Sequence, residues 1–254
     1  MFKLISVEIK KIRRSRILWL LLIPLVILWL PSVLNAQNNL SQAPGLGISP
    51  QNSFFIQGSL GFTSFIYPAS MVVCTVLLVQ NERSYHGMLK MLALPISKAA
   101  LCTAKFIVLA ALISLQMLMN LTVYYISAAI AAHITGAQLL LPPLIAIKEM
   151  LLVFLFSLPM LSFFWLLAVC ISSPVFAMGA GLASIVPAIL IANTKLWFLY
   201  PMSYPFYVIA SEYGKMSTVF TFYDMKLFPL LPMAVLLLAV CLGISRAAFG
   251  RLEA

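Results

Sequence analysis

Long apolar stretches without charged residues constrain the fold of this chain more than any other feature of its sequence. A helix of about 20 apolar residues crosses the hydrocarbon core of a bilayer, which is about 30 Å thick. Of the 254 residues, 63% are hydrophobic and 9% are charged, whereas soluble domains average about 25% charged residues. This composition argues against a soluble enzyme, a disordered chain and a secreted disulfide scaffold. The unbroken runs also argue against a transmembrane β-barrel, whose segments are short and alternate in polarity.

The sequence therefore predicts an all-α, polytopic membrane protein with a single transmembrane domain, residues 1–254, and six transmembrane helices. The predicted spans are 17–34, 60–79, 106–132, 150–170, 175–192 and 227–244. The first span resembles a secretory signal peptide, but its apolar run is long for one, so we interpret it as a retained span. The uncharged segment 35–59 is rich in Asn, Gln, Ser, Gly and Pro, which predicts a polar loop.

Two further segments are predicted to lie at the membrane surface. In residues 1–16, apolar residues recur at helical spacing among basic ones, which predicts an interfacial amphipathic helix. The alternative is a basic flank that only sets topology. Residues 193–226 contain the aromatic and proline-rich stretch 197–207, which is too short to cross the bilayer. We expect an outer re-entrant segment there, with a seventh span as the alternative.

The distribution of basic residues predicts which helix ends face the cytoplasm. With the N-terminus inside, 12 of the 16 Lys and Arg residues fall in cytoplasmic segments. These residues are Lys3, Lys10, Lys11, Arg13, Arg14, Arg16, Arg83, Lys90, Lys98, Lys105, Arg246 and Arg251. The four on the outer side are Lys148, Lys195, Lys215 and Lys226. By the positive-inside rule, both termini are predicted to be cytoplasmic.

Several kinds of chemistry have no support in the sequence. No Asp, Glu, Lys or Arg lies in the middle of a predicted span, which argues against an ion-coupled carrier or an embedded hydrolase. The phosphate-binding pattern G-x-x-x-x-G-K-[ST] is absent, so energy for transport is expected to come from another polypeptide. We expect no catalytic, cofactor-binding or metal site. The cysteines are predicted to be apolar fillers: Cys74, Cys102, Cys170 and Cys241.

The longest internal polar segment, residues 80–105, separates the second and third predicted spans on the cytoplasmic side. Apolar residues between 88 and 94 are combined with the charges of Glu82, Arg83 and Lys90, and Pro95 interrupts the helical pattern. This pattern predicts a short helix that lies across the membrane face and docks a soluble partner. The alternative is an amphipathic loop that rests on lipid headgroups.

This segment resembles the signature of type-2 ABC exporter permeases. The residues that carry the resemblance are Glu82, Arg83, Gly87, Leu89, Lys90, Leu92, Leu94, Pro95, Ile96, Ser97, Lys98 and Lys105. Met88 stands where the family often has Thr or Ser. The layout of the whole chain is also similar to that of the family. The resemblance implies that 82–96 is a coupling helix seated in a groove of an ATPase, with Lys98 beside it, and that 1–16 is an interfacial connecting helix.

Within that class, the chain is similar to the lantibiotic-immunity permeases of Gram-positive bacteria, in its size, its small outer loops and its stretch Tyr200-Pro201 to Tyr204-Pro205. This resemblance implies two permease subunits, alike or different, with a dimer of cytoplasmic ATPase subunits that carry ATP and Mg. The implied task is removal of hydrophobic antimicrobial peptides from the bacterial plasma membrane. Alternatives are export of a lipid, drug or polysaccharide carrier by the same machinery, or a non-transporting membrane anchor or assembly factor. Membrane lipids are expected neighbours, and no nucleic acid is an expected partner.

Four side chains are candidates for a substrate path or an outer gate. Gln116 and Asn120 lie on one face of the third span and are expected to face protein or the path, because amides exposed to lipid are unfavourable. The alternative is a helix–helix hydrogen bond without substrate contact. Tyr200 and Tyr204 are expected to bury their rings and keep their hydroxyls in water, as part of an outer gate or of a structural plug.

Overall fold

The computed structural model describes Glu8 and residues 17–42, 47–83, 97–216, 225 and 227–249, with the backbone alone at 42, 80–83 and 216. The helices in these ranges are α1 (Ile17–Leu34), α2 (Ala36–Gln42), α3 (Pro50–Gly61), α4 (Tyr67–Arg83), α5 (Lys98–Thr135), α6 (Pro143–Cys170), α7 (Pro174–Ile185), α8 (Ala188–Ala192), α9 (Tyr204–Met216) and α10 (Leu227–Phe249). A π-helical turn, Phe62–Ile66, joins α3 to α4, and the 3₁₀ turns Trp197–Leu199 and Pro201–Ser203 precede α9.

Six of the described helical stretches are long and apolar enough to cross a membrane. They are α1, Pro50–Val79, α5, α6, Pro174–Ala192 and α10. The prediction of an all-α protein with six candidate transmembrane helices is therefore confirmed. Helix α6 lies at the centre of the bundle, because it packs against α4, α5, α7, α9 and α10. Helices α1 and α10 expose most of their apolar side chains, as expected for surfaces that face lipid or another subunit.

The prediction of a polar loop at 35–59 is wrong, because α2 and α3 occupy most of that segment. Helix α3 begins at Pro50, which suits the first helical position, and the Ser49 hydroxyl accepts a hydrogen bond from the backbone N–H of Asn52. Its polar residues Ser53 and Ser59 are buried in the protein, and 72% of the apolar window of Pro50–Val79 is buried. A helix that faces protein on most sides does not need an apolar sequence, and so the second span starts ten residues before its predicted position.

Capping residues and prolines also set the ends of other helices. Helices α5 and α6 begin before the predicted third and fourth spans. Ser97 caps α5 by accepting a hydrogen bond from the N–H of Ala100, and Gly136 ends it in the left-handed conformation with φ of 67°. Pro143 occupies the first turn of α6. Pro187 lies at the break between α7 and α8, where its missing N–H interrupts the fifth span.

Two glycines allow helices to approach closely. A Cβ atom on Gly58 would lie 2.3 Å from the Trp29 ring of α1, and a Cβ atom on Gly181 would lie 2.7 Å from Cγ1 of Val72. Trp29 also packs against Phe54 and Tyr124, with ring centroids 5.7 and 5.3 Å apart. These contacts join α1 to α3 and α5, and they join α7 to α4.

Candidate functional site

The bundle has two ends, which are defined here by their residues. The basic end holds Lys98, Lys105 and Arg246; Arg246 Nε donates a hydrogen bond to Thr103 Oγ1 at 3.1 Å, which joins α10 to the start of α5. The opposite end holds residues 136–142 and 193–203, which connect α5 to α6 and α8 to α9. Tyr124 donates to the carbonyl of Leu139 at 3.5 Å, so the end of α5 is tied to the first of these connections.

A buried ion pair lies at the basic end. Lys105 Nζ is 3.2 Å from Glu8 Oε2, and the two side chains are 1% and 5% exposed. The pair joins Glu8 to the first turns of α5. Burying charges away from water is favourable only when they are neutralised, and in this pair each charge helps to neutralise the other.

The implied coupling helix, residues 82–96, is called the coupling segment here. The two helix ends next to it lie at the basic end. Helices α3 and α4 run antiparallel to α5, because Phe55 packs against Tyr124 and Ser70 bonds to Gln116. The end of α4 at Arg83 is therefore directed toward the start of α5 at Lys98, which is exposed. Residues 84–96, which contain the implied coupling residues Gly87, Leu89, Lys90, Pro95 and Ile96, lie outside the described residues. So do the side chains of Glu82 and Arg83.

The two amides of the third span lie inside the bundle. Gln116 Nε2 donates to Ser70 Oγ at 2.8 Å, and Asn120 Oδ1 accepts from Trp29 Nε1 at 3.0 Å. Asn120 Nδ2 is 3.7 Å from Met150 Sδ. Both amides thus bond to neighbouring helices, as the structural alternative predicts, and a contact with substrate stays a prediction.

Replacing Asn120 by Leu is expected to destabilise the protein by about 1–3 kcal/mol, because the buried indole N–H of Trp29 loses its acceptor. Gln116→Leu is expected to cost less, because Ser70 keeps a second bond to the carbonyl of Ile66. Unfolding of the purified protein in detergent measures both changes. A matched substitution on the exposed face of the same helix, Leu118→Ala, is the control. Equal stability of Asn120→Leu and the parent protein would contradict the role assigned to this bond.

The two candidate tyrosines fix the segment before α9. The Tyr200 hydroxyl donates to the carbonyl of Ser184, and the Tyr204 hydroxyl donates to the carbonyl of Phe198. Burial raises the pKa of both phenols. Both hydroxyls donate hydrogen bonds to backbone carbonyls in a partly buried setting, and their contact with water stays a prediction. Trp197 and Tyr207 stack with centroids 3.6 Å apart and add to this packing. A role as an outer gate stays a prediction.

Residues 4–190 of the chain match the sequence model of a family described as "ABC-2 family transporter protein". The chain belongs to the ABC-2 transporter family. Members of this family are the membrane permeases of ABC transporters, non-catalytic subunits that pair with ATPase subunits. The matched region covers the predicted coupling segment, α1 to α7 and the Glu8–Lys105 pair. Comparison with curated proteins gives no match.

A cluster of charged residues at the opposite end of this ABC-2 permease was not predicted from the sequence. Glu149 of α6 and Glu212 of α9 line one cavity at the opposite end, together with Asn52 of α3. The predicted fourth span began at Met150, so Glu149 was counted as part of a connection, whereas it is the seventh residue of α6. The sequence feature that could have indicated a buried Glu149 is its position directly before a long apolar run. Its proximity to Glu212 follows only from the packing of α9 on α6.

Proposed function

We propose that this ABC-2 permease expels hydrophobic antimicrobial peptides of the lantibiotic type from the plasma membrane of a bacterium. The energy comes from a dimer of cytoplasmic ATPase subunits, which hold ATP and Mg. A second permease subunit, the same chain or a related one, completes the membrane part. Both termini of this chain are cytoplasmic, so the basic end faces the ATPase and the opposite end faces outward.

The observation that carries the proposal is that the two helix ends next to the coupling segment, Arg83 of α4 and Lys98 of α5, are both at the basic end. An ATPase bound there would push on two transmembrane helices at once. Helix α5 is continuous over 38 residues, so a displacement at Lys98 reaches the opposite end along one rigid element. The Glu8–Lys105 pair joins Glu8 to the same helix. Motion of the ATPase is thereby transmitted to the spans.

The polar groups in the middle of the bundle support a cationic, amphipathic substrate. Among the described residues, Gln116, Asn120, Ser70 and the bonded pair Tyr67 and Ser157 are polar but uncharged. A path that opens next to them carries no positive charge that would repel a basic peptide. A lipid, drug or polysaccharide carrier remains the second candidate substrate. The resemblance of the Tyr200–Pro205 stretch to immunity permeases favours the peptide.

Glu82→Ala is expected to leave the permease in the membrane and abolish resistance to a lantibiotic. Glu82 lies in the last turn of α4, and its carboxylate is expected to accept hydrogen bonds from the start of the coupling helix that follows or to bind a basic residue of the ATPase; Ala does neither. The assay coexpresses the permease with its ATPase in a sensitive strain and measures the inhibitory peptide concentration. Glu82→Asp, which keeps the charge, is the control and is expected to retain resistance.

A purely local role for Glu82 predicts a loss of about 0.3–1 kcal/mol of helix stability and little loss of resistance. Full resistance of Glu82→Ala at normal expression would therefore contradict coupling through this residue. If the parent permease gives no resistance to any lantibiotic but alters lipid or drug export, the peptide assignment fails while the membership in the ABC-2 family stands.

The orientation is tested with single cysteines at two exposed lysines, Lys98 of the basic end and Lys148 of the opposite end, in a protein that lacks the four native cysteines. Because the outer side is expected to hold few basic residues, an impermeant maleimide is expected to label Lys148→Cys in intact cells. Lys98→Cys should react only after permeabilisation. The reverse pattern would place the ATPase-binding end outside and is incompatible with the proposal.

A further inference from the structure

The cavity at the opposite end is small and largely apolar. It lies between α3, α6 and α9, and its walls include Phe55, Ile145 and Ile209 beside the carboxylates of Glu149 and Glu212. About 10 Å³ is open to the centre of a water-sized group. This is roughly the space that one such group needs. The cavity thus admits one group of about the size of a water molecule.

Glu149 carries a buried oxygen without a hydrogen-bond donor. The residue is 3% exposed, and its Oε2 atom has no hydrogen-bond partner among the described residues. Its Oε1 atom is 3.9 Å from Nζ of Lys148, whose side chain is 68% exposed. A buried carboxylate with so weak a partner is unfavourable by several kcal/mol unless another donor arrives.

Glu212 is already paired but adds negative charge to the cavity. Its Oε1 atom is 2.5 Å from Nζ of Lys215, a bond on the exposed side of α9. The carboxylate of Glu212 repels that of Glu149, while Lys148 and Lys215 attract it. A cation that enters between the carboxylates relieves the repulsion and supplies the missing donor.

The chemistry of the walls selects the kind of cation. Magnesium and calcium require six or more oxygen ligands, whereas the cavity walls are mostly aliphatic and aromatic. A primary ammonium group donates three hydrogen bonds, has about the size of a water molecule and sits on a carbon stem that suits apolar walls. A trimethylammonium group has no N–H and is too wide for the cavity.

We propose that Glu149, assisted by Glu212, binds the primary ammonium group of an amphiphilic ligand at the opposite end of the bundle. The ammonium group belongs to a phosphatidylethanolamine headgroup or to a lysine side chain or N-terminus of a peptide. The site goes beyond the proposed function, since binding is measured without transport and its outcome does not depend on the exported substrate.

The test uses the full-length protein in phosphatidylcholine nanodiscs. The unfolding temperature is measured with n-butylammonium chloride and, at equal concentration, with n-butyltrimethylammonium chloride. A ligand that binds only the folded protein raises the unfolding temperature. We expect a rise with the primary amine and none with the quaternary one. In Glu149→Gln the apparent affinity is expected to fall at least about tenfold, the effect of losing one charge-assisted hydrogen bond.

Three further variants separate the contributions of Lys148, Glu212 and Glu149 to binding. Lys148→Gln removes the competing ammonium group and is expected to keep or increase the rise, while Glu212→Gln should reduce it. If Glu149→Gln does not fold, Glu149→Asp is expected to fold with weaker binding that still prefers the primary amine. Equal rises for both amines, or an equal rise in the parent protein and Glu149→Gln, would overturn the proposal. So would the absence of any rise, which would leave a water-filled cavity beside a protonated carboxyl group.

Changing the lipid of the nanodisc distinguishes a lipid headgroup from a peptide as the source of the ammonium group. In nanodiscs that contain phosphatidylethanolamine, a headgroup in the site competes with n-butylammonium, and its rise is expected to shrink in the parent protein. An undiminished rise would show that the headgroup does not occupy the site and would leave the amines of peptides as the candidate ligands. Either result supports an ammonium site at Glu149.

Discussion

Lys105→Met is expected to destabilise the permease by about 3–5 kcal/mol, because it removes one partner of a buried ion pair, the ammonium group 3.2 Å from the Glu8 carboxylate. The methionine side chain has a similar length, so the change removes charge more than volume. Unfolding of the purified protein in detergent measures the loss. Hydrogen exchange at the start of α5 is expected to increase in parallel, because the contact between Lys105 and Glu8 is lost.

The double variant Glu8→Gln with Lys105→Met separates the ion pair from packing. Removing both charges is expected to recover most of the stability lost by Lys105→Met, since a buried ion pair and a neutral pair of similar volume are often close in free energy. Lys98→Met, on the same helix and exposed, is the control and should change stability by no more than about 0.5 kcal/mol. A loss in Lys105→Met as small as in this control would show that the buried pair is not stabilising.

Hydropathy predicted the number of spans but not where the second begins. The mean hydropathy of a sequence window identifies helices that face lipid. Helix α1 is such a helix, because only 22% of its residues are buried inside the protein. The start of α3 faces protein and not lipid, so its Ser and Asn residues are compatible with a span although they give no hydropathy signal. The signal that was present is the Ser49-Pro50 start, which is a cap followed by proline at the first helical position.

The polar contacts of the interior show a similar limit. The i, i+4 spacing of Gln116 and Asn120 indicated one shared face, and both side chains are buried on it. Their partners, Ser70 and Trp29, lie 46 and 91 residues away in the sequence, and only tertiary packing selects them. Glu8 and Glu149 were missed for the same reason. Each acquires its environment from a helix that is remote in the sequence.

Gly58→Ala is expected to destabilise the permease by about 2–4 kcal/mol. The new Cβ atom would lie 2.3 Å from Cη2 and Cζ3 of Trp29, which is fully buried and held by Phe54 and Tyr124. Overpacking of this kind costs about 1–3 kcal/mol. Moving the ring also disturbs its hydrogen bond to Asn120, which adds about 1 kcal/mol. Unfolding in detergent measures the sum.

Gly179→Ala is the matched control, because it is the same change inside a helix and no atom lies within 4 Å of its new Cβ. Alanine is the better helix former, so this variant is expected to be as stable as the parent or more stable by up to about 1 kcal/mol. Trp29→Leu removes the ring that Gly58→Ala would strike. In that background Gly58→Ala should cost much less than in the parent protein, and a cost that is unchanged would show that the close approach of α3 to α1 does not limit residue 58 to glycine.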